Sequence, residues 1–236
     1  MATHLVALCV GANDPTRLAR FWAGVLGLEP AADGVTLPAS DGIGFGIQFR
    51  PTKEPKLGPN QMHVHLTSTS LRDQKDTVDR VLGLGGRHLD VGQGPDDEHV
   101  VLADPEGNEL CVIEPGNAFL AGCGFLGELT CDGTQEVGYF WSRALGWPLV
   151  WDQDQETSIQ SPHGGTKISW GGPPVAPRTG KNRLHLHLAP LVGGDQQAEV
   201  DRLVSLGATR VDDQCEAGAL VLADPGGNEL CVLTPR

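Results

Sequence analysis

Apolar residues near the start of the chain recur three or four positions apart, which is the spacing of one helix face. The residues in this stripe are Leu18, Phe21, Trp22, Val25 and Leu26. Asp14 suits the N-cap of a helix, and Pro15 suits its first position, where no N–H is needed. Gly27 suits the left-handed residue that ends many helices. The pattern predicts an amphipathic helix over residues 15–26.

The same apolar stripe returns in the second half of the chain. Its members are Val137, Phe140, Trp141, Ala144 and Leu145, and Gly146 follows them. A second type of helix is predicted over residues 71–82 and again over residues 196–206. Each of these is followed by a glycine, Gly83 and Gly207, as expected where a helix ends.

Short segments with an alternating pattern, typical of half-buried strands, surround these helices. In the first half they cover residues 3–10, 34–38, 43–49, 62–67, 87–91, 99–103 and 109–113. Residues 104–107, with the sequence DPEG, have β-turn chemistry, so the last two strands are expected to form a hairpin. The predicted order is βαβββ, used twice. It recurs after residue 120, least clearly between residues 150 and 170.

The two halves share several motifs in the same order. VLADPEGNELCV at residues 101–112 matches VLADPGGNELCV at residues 221–232, and NQMHVHL at residues 60–66 matches NRLHLHL at residues 182–188. The pair Phe21-Trp22 matches Phe140-Trp141. Such self-similarity indicates two copies of one structural unit. We predict two domains, residues 1–117 and 122–236, with the boundary in the glycine-containing segment 115–125.

The charge of the chain excludes some classes of partner. Among 236 residues, 17 are Lys or Arg and 30 are Asp or Glu, so the formal net charge is −13. An acidic surface argues against nucleic acid and against an anionic membrane. No basic segment precedes the first apolar stretch, which favours a strand over a targeting signal. We expect a cytoplasmic protein whose six cysteines are reduced thiols, either a monomer or a homodimer.

The two βαβββ units per domain, the FW helices that end in LG and the DP-x-GN-E-L-C-V hairpin together resemble a known family. They are similar to the glyoxalase/bleomycin-resistance group of the vicinal-oxygen-chelate superfamily, in its actinobacterial tandem glyoxalase-like branch. The resemblance covers nearly the whole chain, twice. It implies an α+β fold of four βαβββ modules in two domains. Each domain would have a curved sheet, helices on its outer face and a concave cleft for a ligand or a metal.

Strand alternation assigns side chains to these clefts, because neighbouring residues of a strand point to opposite faces. Met62, Val64 and Leu66 share the face expected under the helices, so His63 and His65 face the cleft. The cleft-facing residues assigned in this way are His63, His65, His185, His187, Glu109, Cys111, Ile113, Glu229, Cys231 and Leu233.

Metal-dependent members of the superfamily use His, Gln or Glu from the first and last strands of each module. The resemblance places these positions at Ala7, Gln48, His63 and Cys111 in one domain, and at Leu126, Trp170, His185 and Cys231 in the other. One His and one Cys per cleft fall short of the three protein ligands of a catalytic zinc. We therefore expect no metal or other cofactor, and assign Gln48, Cys111 and Cys231 to ligand contact. A shift of one residue in strand register would reverse these faces and bring His4 to the cleft.

The cleft histidines are candidate general acids and bases because imidazole titrates near neutral pH. A polar strand face whose histidines only form hydrogen bonds is the alternative. Glu128 would form an acid/base pair with His185 if it faces the cleft, and otherwise it lies at a solvated edge. Trp147, Trp151 and Trp170 are candidates for an aromatic wall around a flat ligand.

Three functions remain open, all involving a small, aromatic or polycyclic organic molecule. The leading hypothesis is a metal-independent lyase, isomerase or cyclase whose cleft histidines move protons. The first alternative is a protein that sequesters a drug without chemistry, as bleomycin-resistance proteins do. The second is a metal enzyme of the glyoxalase or extradiol-dioxygenase kind.

Overall fold

The structure of the chain is a computed structural model that describes residues 3–40, 42–94, 96–175, 177, 180, 182–212, 215 and 218–236. Its helices are α1 (Pro15–Leu26), α2 (Leu71–Gly83), α3 (Gln135–Leu145) and α4 (Gln196–Ser205). Among the residues described, no helix has both the length and the apolar content needed to cross a bilayer.

The described strands alternate with these helices in the predicted order, except that the first module has two strands after α1 instead of three. They are β1 (Thr3–Ala12), β2 (Thr36–Leu37), β3 (Gly46–Pro51), β4 (Met62–Leu66), β5 (Arg87–His88), β6 (Val100–Ala103), β7 (Glu109–Val112), β8 (Leu126–Cys131), β9 (Leu149–Gln153), β10 (Glu156–Ile159), β11 (Lys167–Trp170), β12 (Leu184–Pro190), β13 (Thr209–Arg210), β14 (Leu220–Ala223) and β15 (Glu229–Val232). The region between residues 150 and 170, where the pattern is least clear, contains three strands. The α+β architecture of repeated modules is confirmed.

Local sequence signals account for the helix ends. The Asp14 side chain accepts a hydrogen bond from the backbone N–H of Arg17, and Pro15 opens α1. Gly27 ends this helix with φ of 67°, a left-handed conformation that favours glycine. Gly146 ends α3 in the same way, with φ of 68°. The predicted caps of both FW helices are therefore confirmed.

The sheets join modules from different halves of the sequence. A seven-stranded sheet has the order β13-β14-β15-β12-β1-β3-β2, and an eight-stranded sheet has the order β5-β6-β7-β4-β8-β11-β10-β9. Antiparallel pairing of β1 with β12 joins the first module to the fourth, and pairing of β4 with β8 joins the second to the third. Each concave face therefore takes residues from both repeats, so neither half forms a cleft by itself.

Each closing hairpin has the predicted form. β6 pairs antiparallel with β7, and β14 pairs antiparallel with β15. Asp104 Oδ1 accepts hydrogen bonds from the backbone N–H groups of Glu106 and Asn108, which fixes the turn. Gly107 completes the turn with φ of 89°.

The repeated FW and DP motifs contact each other across the core. Trp22 Nε1 on α1 donates a hydrogen bond to Asp104 Oδ2 at 3.2 Å, and Trp141 Nε1 on α3 donates to Asp224 Oδ2 at 3.0 Å. In each pair the helix belongs to one sheet and the turn to the other. One large hydrophobic core contains the helix-facing residues of both sheets. The two motifs that mark the repeat are thus structural, and they tie the sheets together.

Candidate active site

The two histidine pairs lie on the sheet faces turned away from the helices, as strand alternation predicts. Met62, Val64 and Leu66 are buried in the main core, whereas His63 and His65 are partly exposed on the opposite face. We call the hollow face of the eight-stranded sheet cleft B and that of the seven-stranded sheet cleft A. Cleft B carries His63, His65, Cys111, Glu128 and Ser169, and cleft A carries Cys9, Gln48, His185, His187 and Cys231.

A chain of hydrogen bonds runs across the centre of cleft B. His65 Nδ1 lies 2.7 Å from Glu128 Oε2, and His65 Nε2 lies 3.1 Å from His63 Nε2. The hydroxyl of Ser169 donates a hydrogen bond to the other carboxylate oxygen of Glu128. Glu128 is 5% exposed, so this carboxylate is nearly withdrawn from water. Its two partners compensate for that burial.

The charges of the three groups depend on one another. Burial lowers the pKa of His63 to about 3, assisted by the neighbouring charge on His65. Burial also opposes charge on His65, but its hydrogen bonds to Cys111 and Glu128 raise its pKa to about 9. Burial would raise the pKa of Glu128, yet the bond and charge of His65 lower it overall. Near neutral pH, His65 is therefore a cation held by a carboxylate, and His63 is a neutral base.

The position of Glu128 corrects two expectations from the sequence. In the pairing of β4 with β8, His65 aligns with Glu128 and Leu66 with Leu126, so Gly127 forms a β-bulge between them. The bulge keeps Leu126 in the core and turns Glu128 into the cleft. The first-strand position that the family resemblance placed at Leu126 is therefore occupied by Glu128. Its histidine partner is His65 and not His185, because the sheet joins modules of different repeats.

An open cavity of about 280 Å³ lies beside Glu128. Its lining includes Phe119, Glu128, Thr130, Trp151 and Ser169. Phe119 comes from the segment between the repeats, and its ring packs edge-on against Trp151 with centroids 5.8 Å apart. Two carboxylates and three aromatic rings border the same space, those of Glu128, Glu156, Phe119, Trp151 and Trp170, which suits a small ligand with an apolar ring.

Of the three tryptophans predicted to form an aromatic wall around a ligand, Trp151 is the one whose position fits that role. Trp151 borders the cavity, whereas Trp147 packs against the main core. Trp170 also touches the cavity, but it is 1% exposed and stacks on Trp141 with centroids 6.5 Å apart. Parallel pairing aligns Thr130 with Ser169, so Ser169 faces the cleft and Trp170 packs towards α3. The position of Gln48 in cleft A therefore corresponds to Ser169 in cleft B, and not to Trp170.

Cleft A has the same pair of histidines but different neighbours. His185 Nε2 lies 3.0 Å from His187 Nε2, and Ala7 pairs with His187 where Glu128 pairs with His65. Gln48 accepts a hydrogen bond from Arg50 at 3.4 Å. Burial lowers the pKa of His187 to about 3. Ala7 stands where cleft B has Glu128, so this position supplies no carboxylate to His187.

Two cysteines complete the set of polar groups in cleft A. Cys231 on β15 is joined by a disulfide to Cys215, which lies between β13 and β14. The expectation that all six cysteines are free thiols is therefore corrected, because the fold brings their Cα atoms to 6.5 Å. The sequence analysis did not identify four residues of the clefts, which are Cys9, Phe119, Ser169 and Cys215. A comparison of the two repeats could have identified Cys215, because the corresponding segment of the first repeat, residues 89–99, contains no cysteine.

Comparisons with known proteins identify the family. The sequence profile of the glyoxalase-like domain matches residues 7–113 and again residues 128–233. The chain belongs to the glyoxalase-like domain family. The first profile match starts at Ala7 and the second at Glu128, the two residues that occupy equivalent first-strand positions. A comparison with curated protein sequences gives no match.

Solved structures show the fold of this glyoxalase-like protein. Glyoxalase I from Zea mays is similar with a TM-score of 0.66 and 11% identity, over 99% of this chain and 92% of that chain. A proposed dioxygenase from Bacillus subtilis subsp. subtilis str. 168 has a TM-score of 0.61 and 16% identity, over 98% and 84%. At these identities the likeness establishes the architecture alone.

Both clefts of the glyoxalase-like protein also hold groups of atoms that suit a metal ion. In cleft B the donor atoms of His63, His65 and Cys111 lie within 4.8 Å of one another. Three such ligands would leave one position open on a tetrahedral ion, as catalytic zinc sites do. This corrects the count of one His and one Cys per cleft, because both histidines of each pair contribute. The residues of cleft B therefore fit a metal as well as proton transfer.

Proposed function

We propose that cleft B is the active site of an enzyme that moves a proton on a small organic molecule. The observation that carries the proposal is the chain Glu128–His65–His63, in which one imidazole is charged and its neighbour is neutral. Two titratable groups whose pKa values are driven apart by their surroundings are suited to separate acid and base roles. Cleft A lacks this arrangement, because Ala7 replaces the carboxylate.

In this proposal His63 is the general base and His65 the general acid. His65 donates the proton on its Nε2 to an oxygen of the bound molecule, which frees the Nε2 lone pair of His63 to accept a proton from a carbon of that molecule. The extra proton on His63 then passes to His65 across the 3.1 Å contact of their Nε2 atoms, which restores the starting state. No net proton is gained or lost, so the cycle suits an isomerase. A lyase or cyclase would use the same first step.

Glu128 has a positioning role. Its bond to Nδ1 fixes the orientation of the His65 ring and keeps the ring charged. Ser169 holds the second carboxylate oxygen, so the carboxylate has little freedom to rotate. The expected substrate is a small aromatic compound with an acidic C–H next to a carbonyl group, because Phe119 and Trp151 border the adjacent cavity.

Exchange of carbon-bound hydrogen in heavy water tests this proposal without knowledge of the full reaction. A panel of aryl ketones and aryl α-hydroxyketones would be incubated with the protein in D₂O, and loss of the C–H signal followed by NMR. We expect catalysed exchange with wild-type protein and a loss of on the order of a hundredfold in His63→Gln and His65→Gln. His163→Gln, which changes an exposed histidine, is the matched control and should retain the rate.

The same measurements separate a binding protein from an enzyme. Calorimetric titration of the panel would identify compounds that bind, and the Gln variants should still bind them. Binding by wild-type protein with no exchange in any bound compound would contradict the proposal and favour sequestration without chemistry.

A metal-dependent enzyme is the second candidate, favoured by the convergence of His63, His65 and Cys111. A divalent ion held there would supply Lewis-acid polarisation of the substrate oxygen. Glu128 would then orient His65 from behind, as carboxylates do for many metal-bound histidines. Metal analysis of Cys111→Ser, together with exchange measured after chelation, separates the two candidates. Loss of a metal equivalent and of exchange would favour the metal, whereas retained exchange favours His63 and His65 alone.

A further inference from the structure

Four soft donor atoms meet at one point in cleft A. They are His185 Nε2, His187 Nε2, Cys215 Sγ and Cys231 Sγ, all within 4.8 Å of one another. Cys215 Sγ lies 3.3 Å from His187 Nε2 and 3.8 Å from His185 Nε2, and the two Nε2 atoms are 3.0 Å apart. A tetrahedral zinc ion with ordinary Zn–N and Zn–S bonds separates its donors by about 3.3 to 3.8 Å. The histidines and Cys215 therefore already have nearly the required spacing.

The donor set comes from a single module. His185 and His187 lie on β12, Cys231 lies on β15, which pairs with β12, and Cys215 lies between β13 and β14. Ala7 and Gln48, which face cleft A from the other module, supply none of the four atoms. All four donor atoms therefore come from the fourth module.

Two of the four donor residues are buried, and the other two, His185 and Cys215, are partly exposed. His187 is 0% exposed and Cys231 is 2% exposed. His187 Nδ1 is also buried and has no hydrogen-bond partner among the described residues. In cleft B, three donor atoms converge among the described residues, and the segment that corresponds to the one with Cys215 contains no cysteine. Four protein ligands leave no open position, which distinguishes structural from catalytic zinc.

We propose that His185, His187, Cys215 and Cys231 form a structural Cys₂His₂ zinc site in the reduced protein, and that the Cys215–Cys231 disulfide is its metal-free, oxidised form. A dithiol reductant supplies two electrons and two protons, the S–S bond breaks, and the reductant becomes a disulfide. Zinc then binds both sulfurs as thiolates and releases the two thiol protons. Oxidation by a disulfide-bearing compound reverses the step and expels the ion. The fourth module therefore carries a redox-controlled cross-link between β15 and the segment that precedes β14.

Zinc and cobalt titrations of the full chain test the proposal. Reduced Cys111→Ser protein, in which the cleft B cluster has no sulfur ligand, should bind one zinc equivalent at this site, and Co²⁺ should give a sulfur-to-cobalt charge-transfer band. The further substitutions are made in this protein. Cys215→Ser should weaken that binding on the order of a hundredfold or more. Cys123→Ser, which changes a half-buried cysteine outside both clusters, should leave it unchanged. A cobalt band of full strength in Cys215→Ser would overturn the assignment.

Alkylation of wild-type protein gives a test that does not depend on a variant folding. In the reduced protein, zinc should protect Cys215 and Cys231 from a thiol reagent and leave the reactivity of Cys123 unchanged. In the oxidised protein, the same pair should be unreactive without zinc and the cobalt band should be absent. Equal reactivity of Cys215 with and without zinc, after reduction, would show that the pair forms only a disulfide. These readouts concern cleft A, so their outcome does not bear on the proposal for cleft B.

Discussion

His65 and Glu128 lie 63 positions apart in the sequence, yet His65 Nδ1 and Glu128 Oε2 are 2.7 Å apart. They come from different repeats and meet because β4 pairs with β8. The equivalent histidine of the other cleft, His187, faces Ala7. The two clefts are therefore chemically different, although the motifs that build them are nearly identical. An ion pair of His65 with Glu128 occupies one cleft, and a cluster of two histidines and two cysteines occupies the other.

Replacing Glu128 with Gln should lower the pKa of His65. The carboxylate and its hydrogen bond are among the causes that raise this pKa to about 9, and they act against burial. With a neutral amide in their place, burial should bring the His65 pKa well below 9. Titration of the imidazole signals by NMR would measure the change. Glu98→Gln, on the exposed surface, is the control. An unchanged His65 pKa in Glu128→Gln would mean that the carboxylate does not hold the charge.

The stability of the protein should fall as the pH rises above 6.5. The His65 pKa is raised from 6.5 to about 9, so between these values the folded state holds a proton that the unfolded state releases. This contribution is fully present below pH 6.5 and is lost through about pH 9. We expect a loss on the order of 1–3 kcal/mol from this group. Urea unfolding across the window would measure it, and His65→Gln should flatten the decline.

Below pH 6.5 the sign is reversed. The pKa values of His63 and His187 are lowered from 6.5 to about 3, so the unfolded state binds protons that the folded state refuses. Stability should therefore rise with pH between about 3 and 6.5 and reach a maximum near 6.5. A stability that is flat across both ranges would contradict the assigned charges of the histidines.

The parts of the fold that the sequence predicts depend on local chemistry. Both FW helices have their apolar stripe, their cap and their terminal glycine within about a dozen residues, so the pattern contains all that determines them. The closing hairpins are predicted for the same reason, because Asp104 and Asp224 organise turns within four residues of themselves. The faces of the HxH strands follow from alternation alone.

The parts that the sequence does not predict depend on contacts between distant strands. The partner of Glu128 is set by which modules share a sheet, and no local pattern encodes that choice. The bulge inserts one extra residue, Gly127, into β8, so that Leu126 stays in the core while Glu128 faces the cleft. Trp170 illustrates the same difficulty, because its place in the core depends on the pairing of β11 with β8. Cys215 lies outside any strand, so alternation gives no information about it.

Trp22→Phe should destabilise the protein by about 1–2 kcal/mol. The change removes the indole N–H that donates to the buried Asp104 Oδ2 at 3.2 Å, and burial already raises the pKa of Asp104. Urea unfolding monitored by circular dichroism would measure the effect. Trp151→Phe is the control, because the indole N–H of Trp151 has no hydrogen-bond partner among the described residues. An equal loss in both variants would show that ring volume, and not the bond to Asp104, is responsible.

Gly138→Ala should destabilise the protein even though alanine is the better helix former. Gly138 lies within α3, where alanine alone would gain about 1 kcal/mol. A Cβ atom at this position would stand 1.9 Å from Thr157 Oγ1 and 2.6 Å from Thr157 Cβ on β10, so helix and strand would have to separate. Thr157 is fully buried, and overpacking of this kind costs about 1–3 kcal/mol, which outweighs the gain.

Gly83→Ala is the matched control for this steric argument, because a Cβ atom there meets nothing within 4 Å. It should be neutral or stabilise the protein by up to about 1 kcal/mol. Combining Gly138→Ala with Thr157→Ala, which removes the nearest oxygen, should recover part of the loss, so the two effects would not add. Urea unfolding of the four variants completes the cycle. Gly138→Ala as stable as Gly83→Ala would mean that α3 lies further from β10 than the contact distance of Thr157 implies.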